Sequence, residues 1–364
     1  MAAFKDQIDT ELARSLAVQL ANAWPGFPRR QFVAGLAREL APLELLARVD
    51  LLAHRLSRSL PDPFPAAADV LWRALDAPAF TGWMTVPCGS FVAREGIDTP
   101  DVSLPLLAGL TPRWSSEAPI RAFIERHPDL TYEYLRRWAH DDDEHVRRLV
   151  SEGTRPRLPW AAQLRGLVAD PSPNLPLLDV LVTDPSPYVR RSVANHLNDI
   201  SKDHPELALD LARKWLARGD GAAWVVRHGL RTLVKRGRPE ALALLGVTTS
   251  AAIEIVDFFV ERDRITIGDD AVFTFTLALS DREREPADAV VDYRVHYVGA
   301  RGVNPPKVFK LTRRRLVPGE PVTLTRRHPF GHVSIRRIRP GPHVIDLQVN
   351  GQVLRGVTVE VTAD

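Results

Sequence analysis

Cysteine is nearly absent from this chain of 364 residues. The single one, Cys88, excludes an intrachain disulfide framework, a four-cysteine zinc site and a CxxC redox pair, and it suits a reducing compartment. Long apolar runs are also missing. None approaches the roughly 18 residues that a membrane-spanning helix needs, so no membrane partner is expected. The N-terminus lacks a basic stretch followed by an apolar one, so no secretory signal is expected and a cytoplasmic location is. Motifs of the familiar enzyme classes are missing too: there is no P-loop, no GxGxxG before a helix, no HExxH and no GxSxG. Thirty prolines argue against long coiled coils and for many short elements. With 45% hydrophobic and 26% charged residues, wholesale disorder is excluded and a sizeable core is feasible. The length suggests two or three domains.

The net charge of +3 hides an asymmetry. From Glu261 onward the chain carries 17 basic against 13 acidic residues, and the preceding part carries 31 against 32. Between Arg301 and Arg339 there are 11 basic residues and one acid, Glu320. Such a block repels itself and is expected to face a polyanion, with Arg313, Arg314, Arg336 and Arg337 as candidate phosphate contacts. The plainer alternative is a solvated face of an arginine-rich protein.

Residues 1–250 read as helical. Ile8, Leu12, Leu16, Leu20 and Trp24 recur every four residues along one helix face, and Phe32, Leu36 and Leu40 do the same before Pro42. Ser116 is placed to cap a helix holding Ile120, Phe123 and Ile124. Asp143 is placed to cap another that ends at Gly153, where a left-handed cap is expected. Segments also repeat. Asp142-Asp-Glu-His-Val-Arg-Arg-Leu-Val150 resembles Pro185-Ser-Pro-Tyr-Val-Arg-Arg-Ser-Val193, and Ala222-Ala-Trp-Val-Val-Arg-His-Gly-Leu230 is a weaker copy. A period near 40 residues predicts a HEAT-like α-solenoid with a concave surface. The valine of each copy should be buried. Arg147, Arg190 and Arg227 then form either a basic stripe in the concavity or a set of inter-repeat ion pairs.

The texture changes near Ala252. All eight tryptophans precede it and none follows. The tail alternates apolar and polar residues at Phe273, Phe275, Leu277 and Leu279, at Val291, Tyr293, Val295 and Tyr297, and at Ile345, Leu347 and Val349. Asn350-Gly351, the preferred pair for a two-residue hairpin turn, leads into Val357, Val359 and Val361. Residues 255–364 are therefore expected to form an all-β, immunoglobulin-like sandwich without its usual cysteine pair.

A polar constellation stands out on the repeats. Arg113-Trp-Ser-Ser-Glu117 opens one helix, and Glu133, Trp138 and His140 precede the next. Then comes Arg147-Arg-Leu-Val-Ser-Glu-Gly-Thr-Arg-Pro-Arg-Leu-Pro-Trp160. Glu152 sits at a helix C-terminus, where a carboxylate opposes the helix dipole, a local violation more frequent at sites than elsewhere. Pairing with Arg148 or Arg155 would explain it equally well. Trp160, at the start of the next helix, would by itself be an ordinary core aromatic.

The string 147–160, with Tyr-Val-Arg-Arg-Ser-Val-Ala-Asn-His-Leu-Asn-Asp-Ile-Ser-Lys-Asp-His-Pro at 188–205, resembles bacterial DNA alkylation-repair glycosylases of the AlkC type, within the AlkC/AlkD superfamily of HEAT-like-repeat enzymes. The segment after Ser116 departs from the family string at Ala118, Pro119 and Ala122 but keeps Glu117. The resemblance implies hydrolytic excision of 3-methyladenine and 3-methylcytosine without full base flipping, with no metal or organic cofactor. It implies that Glu117, Glu152 and Trp160 are catalytic, that Arg148 and Arg155 are basic residues around that site, expected to hold phosphates flanking the lesion and to orient the acids, and that Arg190, Arg191, Ser192, Asn195 and Asn198 belong to the DNA-facing repeat; the repeat pattern adds Arg227 as a further DNA-binding candidate. The partner would be double-stranded DNA containing alkylated bases, bound by a monomer, nucleoid-associated in a bacterial cell.

Those residues suit that chemistry. A base methylated at N3 is already cationic and leaves without further protonation. The sugar then needs stabilising as it becomes oxocarbenium-like. A carboxylate about 4 Å away at an effective dielectric of about 20 contributes roughly 4 kcal/mol, an upper guess of about three decades in rate. An indole face adds roughly 0.5–2 kcal/mol toward a cation. A concave solenoid has no obvious deep pocket, so the DNA would have to bend, and the basic tail would clamp it. Two other readings stay open. A non-catalytic nucleic-acid or protein-binding scaffold would not require the Glu117, Glu152 and Trp160 set. An AlkD-like glycosylase of wider lesion preference would be separated by comparing N3- with N7-alkylated and bulkier bases.

Overall fold

The computed structural model describes residues 4–219, 221–247, 251–300, 302–333 and 336–363. Arg301, counted in the basic block above, lies outside the described residues. Helices come first in the chain: α1 (Thr10–Ala23), α2 (Arg29–Val33), α3 (Leu36–Leu40), α4 (Leu45–Ser57), α5 (Phe64–Leu75), α6 (Thr85–Glu95) and α7 (Pro100–Leu110). Then follow α8 (Ile120–Arg126), α9 (Pro128–Trp138), α10 (Glu144–Gly153), α11 (Arg165–Ala169), α12 (Leu175–Leu181) and α13 (Pro187–Asp203). The last helices are α14 (Pro205–Leu216), α15 (Ala223–Gly229), α16 (Arg231–Lys235) and α17 (Pro239–Leu244). Among the described residues no helix is long and apolar enough to cross a membrane.

Local chemistry explains the boundaries that position the site. The Asp9 carboxylate accepts the Leu12 N–H at 2.8 Å and starts α1, which buries Ala13, Leu16, Ala17 and Leu20. The Phe32, Leu36 and Leu40 stripe is buried, but it spans two short helices rather than one, because Gly35 at φ 70° breaks the backbone between them. Asp143 caps α10 through the His145 N–H at 2.7 Å. At the other end Gly153 is helical and Thr154 follows, so no left-handed cap forms. The glycine is needed for space instead: a Cβ there would lie 2.6 Å from Ile120 Cγ2. Ser116 does not cap α8 with its side chain. Its hydroxyl is buried and donates to the Leu107 carbonyl at 2.7 Å, while its own carbonyl accepts the Ile120 N–H.

The repeated segments become α10, the first part of α13, and α15. They pack in succession, α10 on α13 and α13 on α15, and Val146, Val189 and Val226 are buried in each. The arginines beside those valines do not form a uniform stripe. Arg147 makes a two-pronged ion pair with Asp184 of the next repeat at 2.7 and 3.1 Å, Arg190 donates to the Asp184 and Pro185 carbonyls, and Arg227 is exposed.

Ten strands follow: β1 (Ile253–Val260), β2 (Arg264–Thr266), β3 (Asp270–Leu279), β4 (Ala287–His296), β5 (Val298–Gly299) and β6 (Gly302–Val303), then β7 (Lys307–Leu316), β8 (Val322–Pro329), β9 (Gly341–Val349) and β10 (Gln352–Thr362). One sheet runs β1-β3-β8, a second β2-β10-β9-β4-β7, and β5-β6 form a small ribbon. The alternating residues Phe273 to Leu279, Val291 to Tyr297 and Ile345 to Val349 all face one buried core, as expected. Asn350 at φ 47° and Gly351 at φ 83° form the turn between β9 and β10. Between the two sheets, His328 of β8 bonds the hydroxyl of Tyr293 of β4 at 3.0 Å and that of Tyr297 at 2.8 Å. Burial, then Arg336, Arg326 and Lys307, push the His328 pKa down to about 4, so the ring is neutral and can donate to one hydroxyl and accept from the other. The chain thus comprises a helical region followed by an immunoglobulin-like β domain.

Contacts divide the molecule into two compact units. One holds residues up to His204 together with Trp215–Gly229, and the other holds Pro205–Lys214 together with the chain from Leu230 onward. In the second unit, α16 is tied to the strands by the Gln348 side chain, which donates to the Lys235 carbonyl at 2.9 Å. Arg313 reaches the Leu245 carbonyl at 3.2 Å.

Candidate active site

The site is assembled by α10 and the segments on either side of it. Glu117 lies in the turn that leads into α8, not in the helix itself. Arg148 and Glu152 are one helical turn apart on α10, on the same face. Arg155 follows the C-terminus of α10. The Arg148 Nη1 donates to Glu117 Oε2 at 2.6 Å, and its Nη2 lies 3.7 Å from Glu152 Oε1. Two carboxylates from separate segments therefore share one guanidinium. Burial works against the charge of Arg148, but Glu117 and Glu152 outweigh it and hold its pKa above the ordinary arginine value. The guanidinium also stacks 4.7 Å from the centroid of Tyr188 at the start of α13.

The two acids differ in access. The Glu117 side chain is 27% exposed and also accepts from the Ser115 hydroxyl at 2.6 Å, whereas that of Glu152 is 7% exposed. Behind Glu152 lies a buried chain of charges. Arg155 donates to Glu152 at 2.6 Å and to Asp199 at 2.8 Å, and Lys202 closes it on Asp199 at 2.8 Å. The Ser192 hydroxyl donates to the second Glu152 oxygen at 2.6 Å. A carboxylate at the end of α10 is thus compensated by two arginines and a serine. Both pairings that would explain Glu152 structurally are present. Arg155 is held above its ordinary pKa because Glu152 and Asp199 outweigh the cost of its burial.

Trp160 is not in a helix. It sits in the loop between α10 and α11 at φ 61°, and it is 63% exposed. Arg121 organises the stem of that loop, donating to the carbonyls of Gly153, Arg155 and Ala162 at 3.0, 2.7 and 2.7 Å. Burial lowers the Arg121 pKa to about 10. Beside Glu117 opens a recess of about 420 Å³. Its walls include Trp83, Trp114, Trp160, Tyr188 and Phe4, with Arg148 and Glu117 as its charged members. The rings of Trp83 and Trp114 pack with centroids 5.3 Å apart and planes tilted by 42°.

The predicted set therefore separates. Glu117, Arg148, Glu152, Arg155 and Ser192 form one bonded cluster, with Trp160 across the recess from it. Arg155, Ser192 and Asn198 are buried, Asn195 is half-buried, and Arg191 and Arg227 are exposed. Glu133 and His140 are exposed outside the cluster, and Trp138 is core. In the β domain Arg314 and Arg337 are exposed, Arg313 pairs with Asp288 at 2.9 Å, and Arg336 lies 4.0 Å from the Tyr297 ring centroid. Asp199, Arg121, Trp83, Trp114, Tyr188 and Phe4 were not foreseen as site residues. Trp114 carried a signal in its place three residues before Glu117, and Tyr188 and Asp199 in lying within the string 188–205.

Residues 254–363 match the family model described as the C-terminal Ig-like domain of the uncharacterised protein YhaZ. The uncharacterised protein YhaZ of Bacillus subtilis is 34% identical over 362 residues, which cover 99% of this chain and all of that protein. The solved structure of the alkylpurine DNA glycosylase AlkC of Pseudomonas fluorescens, bound to DNA containing an abasic-site analog, superposes with a TM-score of 0.94 at 34% identity and covers the whole of both chains. Over their full lengths, and with both the helical region and the immunoglobulin-like domain in common, the chain belongs to the AlkC-type family.

Proposed function

We propose that the chain is a DNA glycosylase that removes cationic N3-methylated bases, 3-methyladenine and 3-methylcytosine, by hydrolysing the N-glycosidic bond without fully extruding the base from the duplex. The observation that carries this reading is the pair of carboxylates sharing Arg148 beside an exposed indole, with one of the two acids open to solvent. The AlkC relative, named an alkylpurine DNA glycosylase and solved with DNA, supports it.

A cationic base needs no proton to leave. As its bond to C1′ lengthens, positive charge moves onto the deoxyribose, and a fixed anion beside that carbon stabilises the transition state more than the ground state. Glu117 is the acid that a sugar on the surface can reach, so it meets C1′ and holds the attacking water. Glu152, bonded on both oxygens, keeps Arg148 and Arg155 in place and adds its field from behind. Trp160 offers its negative face to the same cation. Arg155, Ser192 and Asn198 act through this support from the interior. Arg190, Arg191, Asn195 and Arg227 are assigned to DNA on the helical repeats. In the β domain Arg313, Arg314, Arg336 and Arg337 are assigned to the phosphates of the DNA that this domain clamps. Neutral bases leave poorly, so the charge of the lesion is itself the filter.

Release of methylated base from alkylated duplex DNA tests the assignment. Glu117→Gln and Glu152→Gln should each lower the single-turnover rate by about 10²–10³-fold, the range for removing one preorganised transition-state stabiliser. Equal release by wild type and both variants would reject the site.

A further inference from the structure

Trp160 has no secondary structure to hold it. Its loop is anchored at the stem by Arg121 and by the Leu164 N–H, which bonds the Pro156 carbonyl at 3.2 Å, but the indole lies at the tip. The backbone there is left-handed, at φ 61°, a conformation unfavourable for a bulky residue and maintained only when its surroundings enforce it. An exposed side chain on a strained loop tip would ordinarily sample several rotamers. One contact opposes this. The ring of Phe4 packs edge-on against the indole, with centroids 5.3 Å apart and planes at 65°.

The backbone that carries Phe4 is held in place. It begins a short 3₁₀ turn, Phe4–Gln7, that the fully buried Ile8 pins into the core. Arg48 of α4 is buried, and its guanidinium donates to the carbonyls of Lys5 at 2.9 Å, Ile8 at 3.1 Å and Leu43 at 2.9 Å. Lys5 pairs with Glu44 at 2.8 Å. A buried arginine bonded to backbone carbonyls on both sides fixes the N-terminal turn to the start of α4. Phe4 and Trp160 then share the mouth of the recess with Leu45 and Leu46.

We propose that Phe4 is a positioning residue for the reaction: it holds the Trp160 indole over the recess beside Glu117, so that the N-terminal turn supports a site whose charged residues lie more than a hundred positions later. This rests on the reading of Trp160 as the aromatic face that meets the sugar. Phe4 is 63% exposed, so its replacement should spare the fold.

The test is a double-mutant cycle read in single-turnover base release, with the DNA concentration for half-saturation measured alongside. Phe4→Ala should lower the saturating rate about two- to tenfold, the range expected for losing one edge-on aromatic pair. Half-saturation should change less than about twofold, because no DNA contact is lost. Phe4→Tyr should restore the rate, and Phe4→Ala combined with Trp160→Ala should be no slower than Trp160→Ala alone. Acrylamide quenching gives a readout independent of activity. The emission difference between wild type and Trp160→Phe isolates Trp160, and the Phe4→Ala background should make it more quenchable. A normal rate for Phe4→Ala with an impaired Trp160→Ala overturns the positioning role and leaves the glycosylase reading intact. A normal rate for Trp160→Ala overturns the reading of Trp160 and the proposal with it. Additive losses in the double variant, or unchanged quenching, also overturn the proposal.

Discussion

Glu117 and Glu152 lie 35 positions apart in the chain, and a residue with no side chain brings them together. Gly153 ends α10 where Ile120 begins α8, and an added Cβ would stand 2.6 Å from Ile120 Cγ2 and 3.7 Å from the Glu117 carbonyl oxygen. Ile120 is fully buried and β-branched, so it cannot swing aside. Gly153→Ala would gain about 1 kcal/mol of helix propensity. Overpacking would cost about 1–3 kcal/mol. The balance is a loss of at most about 2 kcal/mol in stability, but the clash is relieved by moving α10 away from the Glu117 segment. That movement lengthens the contact between Arg148 and Glu117. The expected outcome is a melting temperature within several degrees of wild type and base release at least about tenfold slower, since misplacing a catalytic group by about 1 Å can cost a hundredfold. Measured below the melting transition, full activity of Gly153→Ala would show that the approach of these two segments does not set the chemistry.

At the scale of elements, what was legible in the sequence is what is local. The four-residue stripe of α1, the Asp143 cap, the two-residue alternation of β3, β4 and β9, and the Asn350-Gly351 turn each depend on neighbours within a few positions, and each is found. What was not legible is what depends on distant partners. Trp160 belongs to a loop held by Arg121 and Phe4, and Glu152 is bonded to Ser192, 40 positions away. Periodicity contains no trace of such contacts. The packing of α10 on α13 has a further consequence. His196 of α13 is fully buried, with Nδ1 at 2.9 Å from the Ser151 carbonyl of α10 and Nε2 at 3.3 Å from Asn174. Burial lowers its pKa from 6.5 to about 4. Between those values the unfolded chain binds a proton that the folded one refuses, so stability falls as pH falls through the window, by up to about 3 kcal/mol for this group. All eight tryptophans lie in the first unit, so their emission follows it alone. Urea unfolding read by tryptophan between pH 7 and pH 4 should show this loss, with a shallower one for His196→Gln; equal slopes would remove His196 as its source.

Taken as a whole, the molecule separates its chemistry from its charge. The part before Glu261 holds 31 basic against 32 acidic residues, and in the candidate site the arginines are spent on carboxylates: Arg147 on Asp184, Arg148 on Glu117, Arg155 on Glu152 and Asp199. Arginines committed in this way have little left for a phosphate backbone. The β domain differs. Its basic residues concentrate on β7 and β8, each an edge strand of its sheet, and on the loop after β8. A charged edge blocks the addition of another strand, which alone would justify some of these side chains. The two roles are separable by salt. Each arginine that displaces a counterion from duplex DNA contributes about one unit to the slope of log affinity against log salt concentration, whereas a residue that only guards an edge contributes nothing. Arg314 and Arg337 are exposed on β7 and in the loop after β8, so replacing both with alanine should leave the sandwich core intact. Point replacement is a cleaner test than removing residues 255–364, because Gln348 and Arg313 bond to the helical part of the same unit. The double variant should bind undamaged duplex more weakly at low salt and with a slope shallower by about two, while Glu117→Gln should keep the wild-type slope. An unchanged slope in Arg314→Ala with Arg337→Ala would remove both arginines from the phosphate contacts of the proposed clamp and leave edge protection as the role of Arg314.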